Sequence, residues 1–420
     1  MMKSWRALIL GDGTNQVRKN IIWNMIGSLL FALASILLFA VAARATGEYY
    51  GGIFSIAFTT GQMLLTIGYY EVRPFQVTDV AGEYSFSEYL SARVITCIAM
   101  VIAEILYILI SGATGVRAAV IFLMCLYKLV DGAADVFEGE FHRKGRLDLS
   151  GKSMAFRTLF SGGVFVIVVI VTKNIVAASA AAVIAAVLGF VVFDLFVIGS
   201  FEPLRLSASK KRVLRLLRDC FFLFLGSFLY LYICNAAKYA VDACMSEEAV
   251  TYYTDLYLPT STINLLSGFI FKPLLTTMGE SCEHGEWERF RSMVYRLLLG
   301  ITGLTAVCCL GAFLLGIPVL SLVFGQDLSP YRGALVLLIL GGGFNAAAML
   351  LYYALTTMRQ QRGILLCYGA AAILSLILSR VLVRAFGILG GALCYTGAMG
   401  VLVLLFFFYV RSRYRREMRK

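Results

Sequence analysis

The sequence predicts an all-α polytopic membrane protein with about 12 transmembrane helices in two six-helix bundles around a central cavity. Three observations predict the membrane helices: twelve long apolar stretches, few charged residues, and short loops whose positive charges fall mostly on alternate sides. A weak likeness between the two halves, in which Gly27 and Ser28 resemble Gly226 and Ser227, predicts the two bundles and the cavity between them. Apolar residues make up 60% of the 420 residues and charged residues 15%, whereas soluble domains carry about 25% charged residues. The function is therefore expected within the bilayer, as movement of a substrate across it.

The first half contains six stretches long enough to cross ~30 Å of hydrocarbon, for which about 20 apolar residues are needed. The polar residues 1–20 lack an apolar core, so the first span predicts a signal anchor and not a cleaved signal peptide. The six predicted spans are Ile21–Ala43, Gly51–Glu71, Arg93–Ala113, Val116–Phe137, Met154–Lys173 and Val176–Gly199.

The second half contains six more, of which the seventh and eighth are interrupted by charges. Those spans are Cys220–Val241, Val250–Thr276, Met293–Gly316, Tyr331–Met358, Gly363–Phe386 and Ile388–Val410. The longest polar connection near mid-chain divides the spans six and six. We therefore predict an N-terminal bundle over residues 1–199, a cytoplasmic basic linker over 200–219, and a C-terminal bundle with a basic cytoplasmic tail over 220–420.

The loop charges predict the orientation. Lys and Arg are enriched in short cytoplasmic loops, and 28 of the 37 fall on one side if both termini are placed there. We therefore expect a multi-pass protein of the cell (cytoplasmic) membrane with both termini in the cytoplasm. The net charge of +12 then needs no nucleic-acid partner to explain it.

The fourth span carries a row of charges. Lys128, Asp131, Asp135 and Glu138 are spaced three, four and three residues apart, which places them on one face of a helix. A charge at the bilayer centre costs about 2.5–3.5 kcal/mol on insertion scales, so such residues usually face a bundle interior or a cavity. The alternative is that Asp135 and Glu138 reach the headgroups while Lys128 and Asp131 neutralise each other.

The seventh and eighth spans carry further charges. Lys238 and Asp242 share a face near one end of the seventh span, where Lys238 could instead snorkel to the interface. The eighth span contains Asp255, Pro259 and Lys272. Because Pro259 frees a backbone carbonyl, and such backbone survives at membrane depth only where protein or water covers it, we expect this span to face a cavity.

Two carboxylates stand alone in their spans, Glu104 in the third and Asp194 in the sixth. Either would carry a proton or sodium ion if transport is ion-coupled, or would pair with another helix. Arg44 ends the first span. We expect it either to bind substrate or to anchor this end of the span at the membrane interface. Cations in a water-filled cavity suit a phosphate or pyrophosphate. The candidate substrate-binding cations are Arg44, Lys128, Lys238 and Lys272. The carboxylates that would balance them or act as gates are Asp131, Asp242 and Asp255.

Several function classes are disfavoured by missing motifs. The ten cysteines form no CxxC pair and lie mostly within spans, and both histidines fall in loops, so no metal site is expected. No GxxxxGK[ST] loop is present, so the chain contains no ATP-driven pump of that class. No cofactor is predicted. A membrane-embedded glycan polymerase or ligase is also disfavoured, because such an enzyme is expected to have a sizeable outer loop with catalytic Arg or His.

Four segments carry a recognisable pattern: Arg73–Asp79, Asp135–Asp148, Asn235–Asp242 and Gly268–Leu275. They resemble the oligosaccharide flippases of the polysaccharide transport family, in the multidrug/oligosaccharidyl-lipid/polysaccharide exporter superfamily. The likeness covers most of the chain, and the order and spacing of the segments are more specific than any one of them. The sequence departs from the family pattern where Ala237 replaces a usual proline and where Phe141 or His142 replaces a glutamine.

The resemblance implies a flippase, not an enzyme. It would move an undecaprenyl-pyrophosphate-linked oligosaccharide from the inner to the outer leaflet by alternating access, for cell-surface polysaccharide biosynthesis. The implied partners are the lipid-linked oligosaccharide, membrane lipid, and a polysaccharide polymerase or glycosyltransferases of the same pathway. An ion-coupled multidrug or small-solute exporter of the same fold is the alternative, and it predicts a carboxylate-centred site around Glu104 or Asp194.

Overall fold

The described part of the chain is helical and contains no strand. The computed structural model describes residues 15–79, 82–207, 209–261, 263, 267, 278, 281–282, 284–358 and 360–417. The predicted all-α fold class is confirmed.

The first helices follow the apolar stretches closely. Asn174 caps the helix that begins at Ile175, because its side chain accepts from the backbone N–H groups of Val176 and Ala177 at 3.0 and 3.1 Å. Ser85 and Glu88 form a capping box at the start of the helix that begins at Phe86. These helices are α1 (Gln16–Thr46), α2 (Glu48–Tyr69), α3 (Val72–Thr78), α4 (Phe86–Ser111), α5 (Gly115–Arg143), α6 (Leu147–Thr172) and α7 (Ile175–Ile198).

The remaining helices are α8 (Lys210–Cys244), α9 (Glu247–Tyr257), α10 (Trp287–Phe324), α11 (Arg332–Thr357) and α12 (Gln361–Glu417). Gly387, with φ of 58°, breaks α12 between the two last predicted spans. The predicted eighth span begins in α9, and most of it lies outside the described residues. Within the described ranges, nine helices are long and apolar enough to cross a membrane; α5 is not among them because its charges interrupt the apolar run.

The chain forms two compact units, Met1–Phe228 and Leu229–Lys420. The division falls inside α8, which begins at Lys210. The second half of the predicted 200–219 linker is therefore the start of a helix. The assignment of six spans to each half stays a prediction.

Exposure is inverted relative to a water-soluble protein. Leu109, Ile110 and Leu322 are 70%, 84% and 78% exposed, whereas Arg93 and Arg157 are 2% and 3% exposed. Large exposed apolar surfaces mark contact with another apolar phase, and charges inside membrane helices face the protein interior. The exposed apolar surface and the buried charges identify a multi-pass membrane protein.

A sharp turn joins α2 to α3 within the first unit. Tyr70 and Glu71 both adopt left-handed backbone conformations, with φ of 46° and 51°, which non-glycine residues rarely do. The ring of Tyr70 stacks on Phe224 with centroids 4.5 Å apart, and Ser227 donates a 2.6 Å hydrogen bond to Glu71. These contacts with α8 hold the turn, so that α3 runs back towards α5.

Candidate functional site

The four charges of α5 are all buried inside the first unit. Lys128, Asp131, Asp135 and Glu138 are 3%, 7%, 6% and 2% exposed. Cations from other helices contact both Asp135 and Glu138, and the depth of these two carboxylates in the membrane stays a prediction. The helical spacing therefore creates one charged face, and the fold turns it inward.

Arg157 on α6 is the centre of the cluster. Its guanidinium contacts Asp131 at 3.2 Å, Glu138 at 3.0 Å and Asp194 at 3.1 Å. One planar cation with five donors thus joins α5, α6 and α7. Gly189 of α7 leaves room for this arrangement, because it has no side chain. A Cβ added there would lie 3.3 Å from the Arg157 side chain.

Two further arginines hold the other carboxylates of α5. Arg93 of α4 pairs with Asp135 at 2.6 Å and also donates to the carbonyl oxygen of Gly68. Arg73 of α3 contacts both Asp135 and Glu138 at 3.1 Å. Ion pairs therefore join α3 and α4 to α5 within the first unit.

Lys128 has a longer ion-pair distance to the α5 carboxylates than Arg73, Arg93 or Arg157 has. Its ammonium lies 3.4 Å from Asp131, a carboxylate that Arg157 also contacts. Three aromatic rings surround it, with centroids at 4.4 Å for Phe58, 4.8 Å for Phe31 and 5.4 Å for Tyr127. Cation–π attraction to these rings compensates part of the lost hydration of the ammonium.

Asp194 is paired with other helices. It is fully buried and accepts from the Ser153 hydroxyl at 2.8 and 2.7 Å, besides its contact with Arg157. It lies in a π-helical turn, Val191–Leu195, of the kind often found at functional sites. The structure therefore shows the interhelical pairing of this carboxylate, and a role in ion coupling stays a prediction.

Glu104 and Arg44 lie apart from this cluster. Glu104 is 1% exposed in α4 and shares a hydrogen bond with the Cys125 thiol, but pairs with no cation among the described residues. Arg44 is exposed in the last turn of α1, where a cation interacts favourably with the helix dipole. Its position fits the anchoring alternative.

In the second unit, Lys238 is 4% exposed and Asp255 is 1% exposed. The two interact electrostatically, which joins α8 to α9. Asp242 is half-buried in the last turn of α8. Lys272 lies outside the described residues. Of the predicted residues in this half, the structure therefore brings together Lys238 and Asp255.

Asp79, at the end of α3, anchors the loop beside the cluster. It accepts from the backbone N–H groups of Glu83 and Tyr84 at 2.7 and 2.9 Å, and from the Tyr89 hydroxyl at 3.0 Å. Arg143 lies 3.8 Å away. Burial by itself raises the pKa of Asp79, but the hydrogen bonds and the arginine outweigh it and hold the pKa below its usual value. The loop contact is therefore made by a carboxylate at neutral pH.

Arg73, Arg93 and Arg157 are not among the site residues predicted from the sequence, because they were assigned to the cytoplasmic side as charges that set the orientation. A signal for one of them was present. Ser153 and Arg157 are four residues apart on a single face of α6, and Arg157 lies inside the predicted fifth span. That placement is costly unless carboxylates face it.

The cluster balances in charge within the described part of the first unit. Its cations are Arg73, Arg93, Lys128 and Arg157. Its carboxylates are Asp131, Asp135, Glu138 and Asp194. Such an arrangement can hold helices in register. One of its cations can also exchange its carboxylate partner for an incoming anion. No cluster of metal-ligating side chains occurs among the described residues.

Comparison with known proteins identifies both a family and a fold. The sequence model of the family described as "Polysaccharide biosynthesis protein" matches residues 17–278. No curated protein sequence gives a significant match.

Solved structures of MATE transporters share the fold. The chain is similar to the crystal structure of MATE in complex with MaD3S, with a TM-score of 0.62 and 14% identity over 99% of both chains. It is also similar to inward-facing and outward-facing structures of a multidrug resistance MATE family transporter of the MOP superfamily. Their TM-scores are 0.60 and 0.58, with 13% and 14% identity over 96% and 98% of both chains. At these identities the likeness establishes the fold alone.

Proposed function

Because the chain belongs to the polysaccharide biosynthesis protein family and has the fold of a MOP-superfamily membrane transporter, we propose that it is a lipid-linked oligosaccharide flippase. The substrate would be an undecaprenyl-pyrophosphate-linked oligosaccharide, moved from the inner to the outer leaflet by alternating access and without covalent chemistry. The protein would lie in the cytoplasmic membrane with both termini inside. The family match is the observation that carries this proposal.

Lys128 is the cation of the first unit best suited to meet the pyrophosphate. Arg157 also holds its partner Asp131, at 3.2 Å. If Lys128 turned towards a phosphate, Asp131 would still be paired, whereas moving Arg157 would leave three buried carboxylates without it. A buried charge without a partner is strongly destabilising. We therefore assign substrate contact to Lys128 and positioning to Arg157.

Lys238 is the corresponding candidate in the second unit. It is 4% exposed and has Asp255 as an electrostatic neighbour, so a pyrophosphate would compete with that carboxylate for it. Arg44 and Lys272 remain candidates from the sequence. We assign Asp242 and Asp255 to balancing or gating in this unit.

A flipping assay tests the proposal. The purified protein is reconstituted into liposomes that contain a polyprenyl-pyrophosphate oligosaccharide, and exposure of the glycan to an added glycosidase is followed over time. We expect protein-dependent exposure, slowed at least ~10-fold in Lys128→Gln and in Lys238→Gln, because a buried charge-assisted contact is worth about 1.5–3 kcal/mol.

Lys211→Gln is the matched control, since Lys211 is exposed near the start of α8 and should flip at the unmodified rate. Thermal unfolding in detergent identifies variants that fail to fold. Folded Lys128→Gln and Lys238→Gln proteins that both flip at the unmodified rate would remove these residues from the proposal. No glycan movement with any lipid-linked substrate would reject the flippase function.

The alternative function is an ion-coupled multidrug or small-solute exporter. Glu104 favours it, because this buried carboxylate has no cationic partner among the described residues and could carry a proton or sodium ion. This function predicts uptake of organic cations under an ion gradient, abolished in Glu104→Gln. Gradient-driven cation uptake without glycan movement would decide for it.

A further inference from the structure

A cavity of about 260 Å³ opens at the end of the second unit, between α10, α11 and α12. Its floor is apolar: Phe290, Val294 and Leu351 are 1%, 5% and 0% exposed. The rings of Tyr295 and Phe407 lie 6.3 Å apart beside it. An apolar floor of this kind accommodates hydrocarbon better than a small hydrated anion.

Cations form the rim of this cavity. Arg411 and Arg415 both border it, and a spacing of four residues puts them on one face of α12. Neither has an ion-pair partner among the described residues. Like charges four apart on a helix repel each other, so this pair is stabilised by an anion placed between them.

A third arginine is held in place at the rim. Arg291 of α10 pairs with Glu288 at 2.7 Å and lies over the Tyr414 ring, 5.4 Å from its centroid. The Tyr414 hydroxyl donates to the other oxygen of Glu288 at 2.9 Å. This contact joins α10 to α12, so the distance across the cavity mouth is set by side chains that already have partners.

The span predicted from the sequence places this site at the level of the lipid headgroups. The predicted last span ends at Val410, and Arg411 is the next residue, so the rim begins where the apolar run stops. We infer that this cavity binds an anionic phospholipid, with the headgroup phosphate between Arg411 and Arg415 and the upper acyl chain on the floor formed by Phe290, Val294 and Leu351. Basic residues next to a span attract anionic lipid, and the cavity makes the attraction specific. This site is separate from the proposed transport function.

Lipid binding to the purified full-length protein tests the inference. Native mass spectrometry counts retained lipids during titration with phosphatidylglycerol, phosphatidylcholine, glycerol phosphate or polyprenyl pyrophosphate. We expect one phosphatidylglycerol to bind preferentially. The Arg411→Gln/Arg415→Gln double variant should bind it about 30-fold more weakly, since each basic residue contributes ~1 kcal/mol near a membrane surface. Arg411→Lys/Arg415→Lys should retain most of the affinity.

Arg289→Gln/Arg413→Gln is the matched control. It removes the same number of charges, one from the start of α10 and one from the end of α12, but Arg289 pairs with Glu286 and Arg413 donates to the Tyr409 hydroxyl. We expect its affinity to change less than about 3-fold, with unfolding temperatures similar among the variants. Equal loss in both double variants would show a general basic surface and overturn the site. Equal binding of phosphatidylcholine or glycerol phosphate, or preference for polyprenyl pyrophosphate, would overturn the anionic phospholipid as ligand.

Discussion

At the scale of single residues, Arg157 links three helices of the first unit by charge. It contacts three buried carboxylates, the farthest at 3.2 Å, and is 3% exposed. Removing one member of a buried ion pair costs more than the pair itself contributes, because the remaining charge keeps its desolvation penalty. Arg157 therefore has a structural role even if it never touches the substrate.

We predict that Arg157→Gln destabilises the first unit by about 3–5 kcal/mol. Unfolding in detergent, followed by circular dichroism, measures the change. Arg157→Gln/Asp194→Asn should lose less than the sum of the two single variants, because the second change removes one of the charges left unpaired. Arg218→Gln, at an exposed position in α8, is the control. An Arg157→Gln protein as stable as this control would contradict the assigned role.

At the scale of helices, the crossing of α1 and α6 depends on two glycines. A Cβ on Gly27 would lie 2.6 Å from the carbonyl oxygen of Gly151, and one on Gly151 would lie 2.3 Å from the carbonyl carbon of Trp23. Both clashes are with backbone atoms, which cannot rotate away. Small residues let membrane helices approach this closely, and beside the crossing Trp23 packs against Phe156 with centroids 5.6 Å apart.

We predict that Gly151→Ala lowers stability by about 1–3 kcal/mol, since overpacking forces the two backbones apart. Gly163→Ala is the control on the same helix, because no described atom lies within 4 Å of the added carbon. It should be neutral or more stable by up to ~1 kcal/mol, as alanine favours helix over glycine. Both are measured by thermal unfolding in detergent. Equal effects at the two positions would exclude the close crossing as the cause.

At the scale of the whole molecule, apolar side chains face outward and charges face inward. Leu299 and Leu322 are 74% and 78% exposed on α10, while the charge cluster of the first unit is buried. A bilayer makes this arrangement stable, because it accepts apolar surface and rejects unpaired charge. The distribution of Lys and Arg in the loops predicts which end of the helices faces the cytoplasm.

We predict that both termini face the cytoplasm and that the loop between α10 and α11 faces outward. Alkaline phosphatase, which is active only outside the cytoplasm, should be inactive when fused after Lys420 and active when fused after Asp327, an exposed loop residue. A cytoplasmic reporter such as a fluorescent protein should give the opposite pattern. Phosphatase activity at Lys420 would reverse the orientation.

Most of the described helices, the membrane setting and the charged face of α5 could be predicted from the sequence, because each depends on local periodicity and composition. Helical spacing is enough to align Lys128 with Asp131. The cations that contact this face could not be predicted in the same way, because they come from other helices. Arg73 lies 62 residues from Asp135 in the chain, and Arg157 lies 37 residues from Asp194. Such pairing depends on which helices become neighbours and how they are rotated, and no local pattern contains that information.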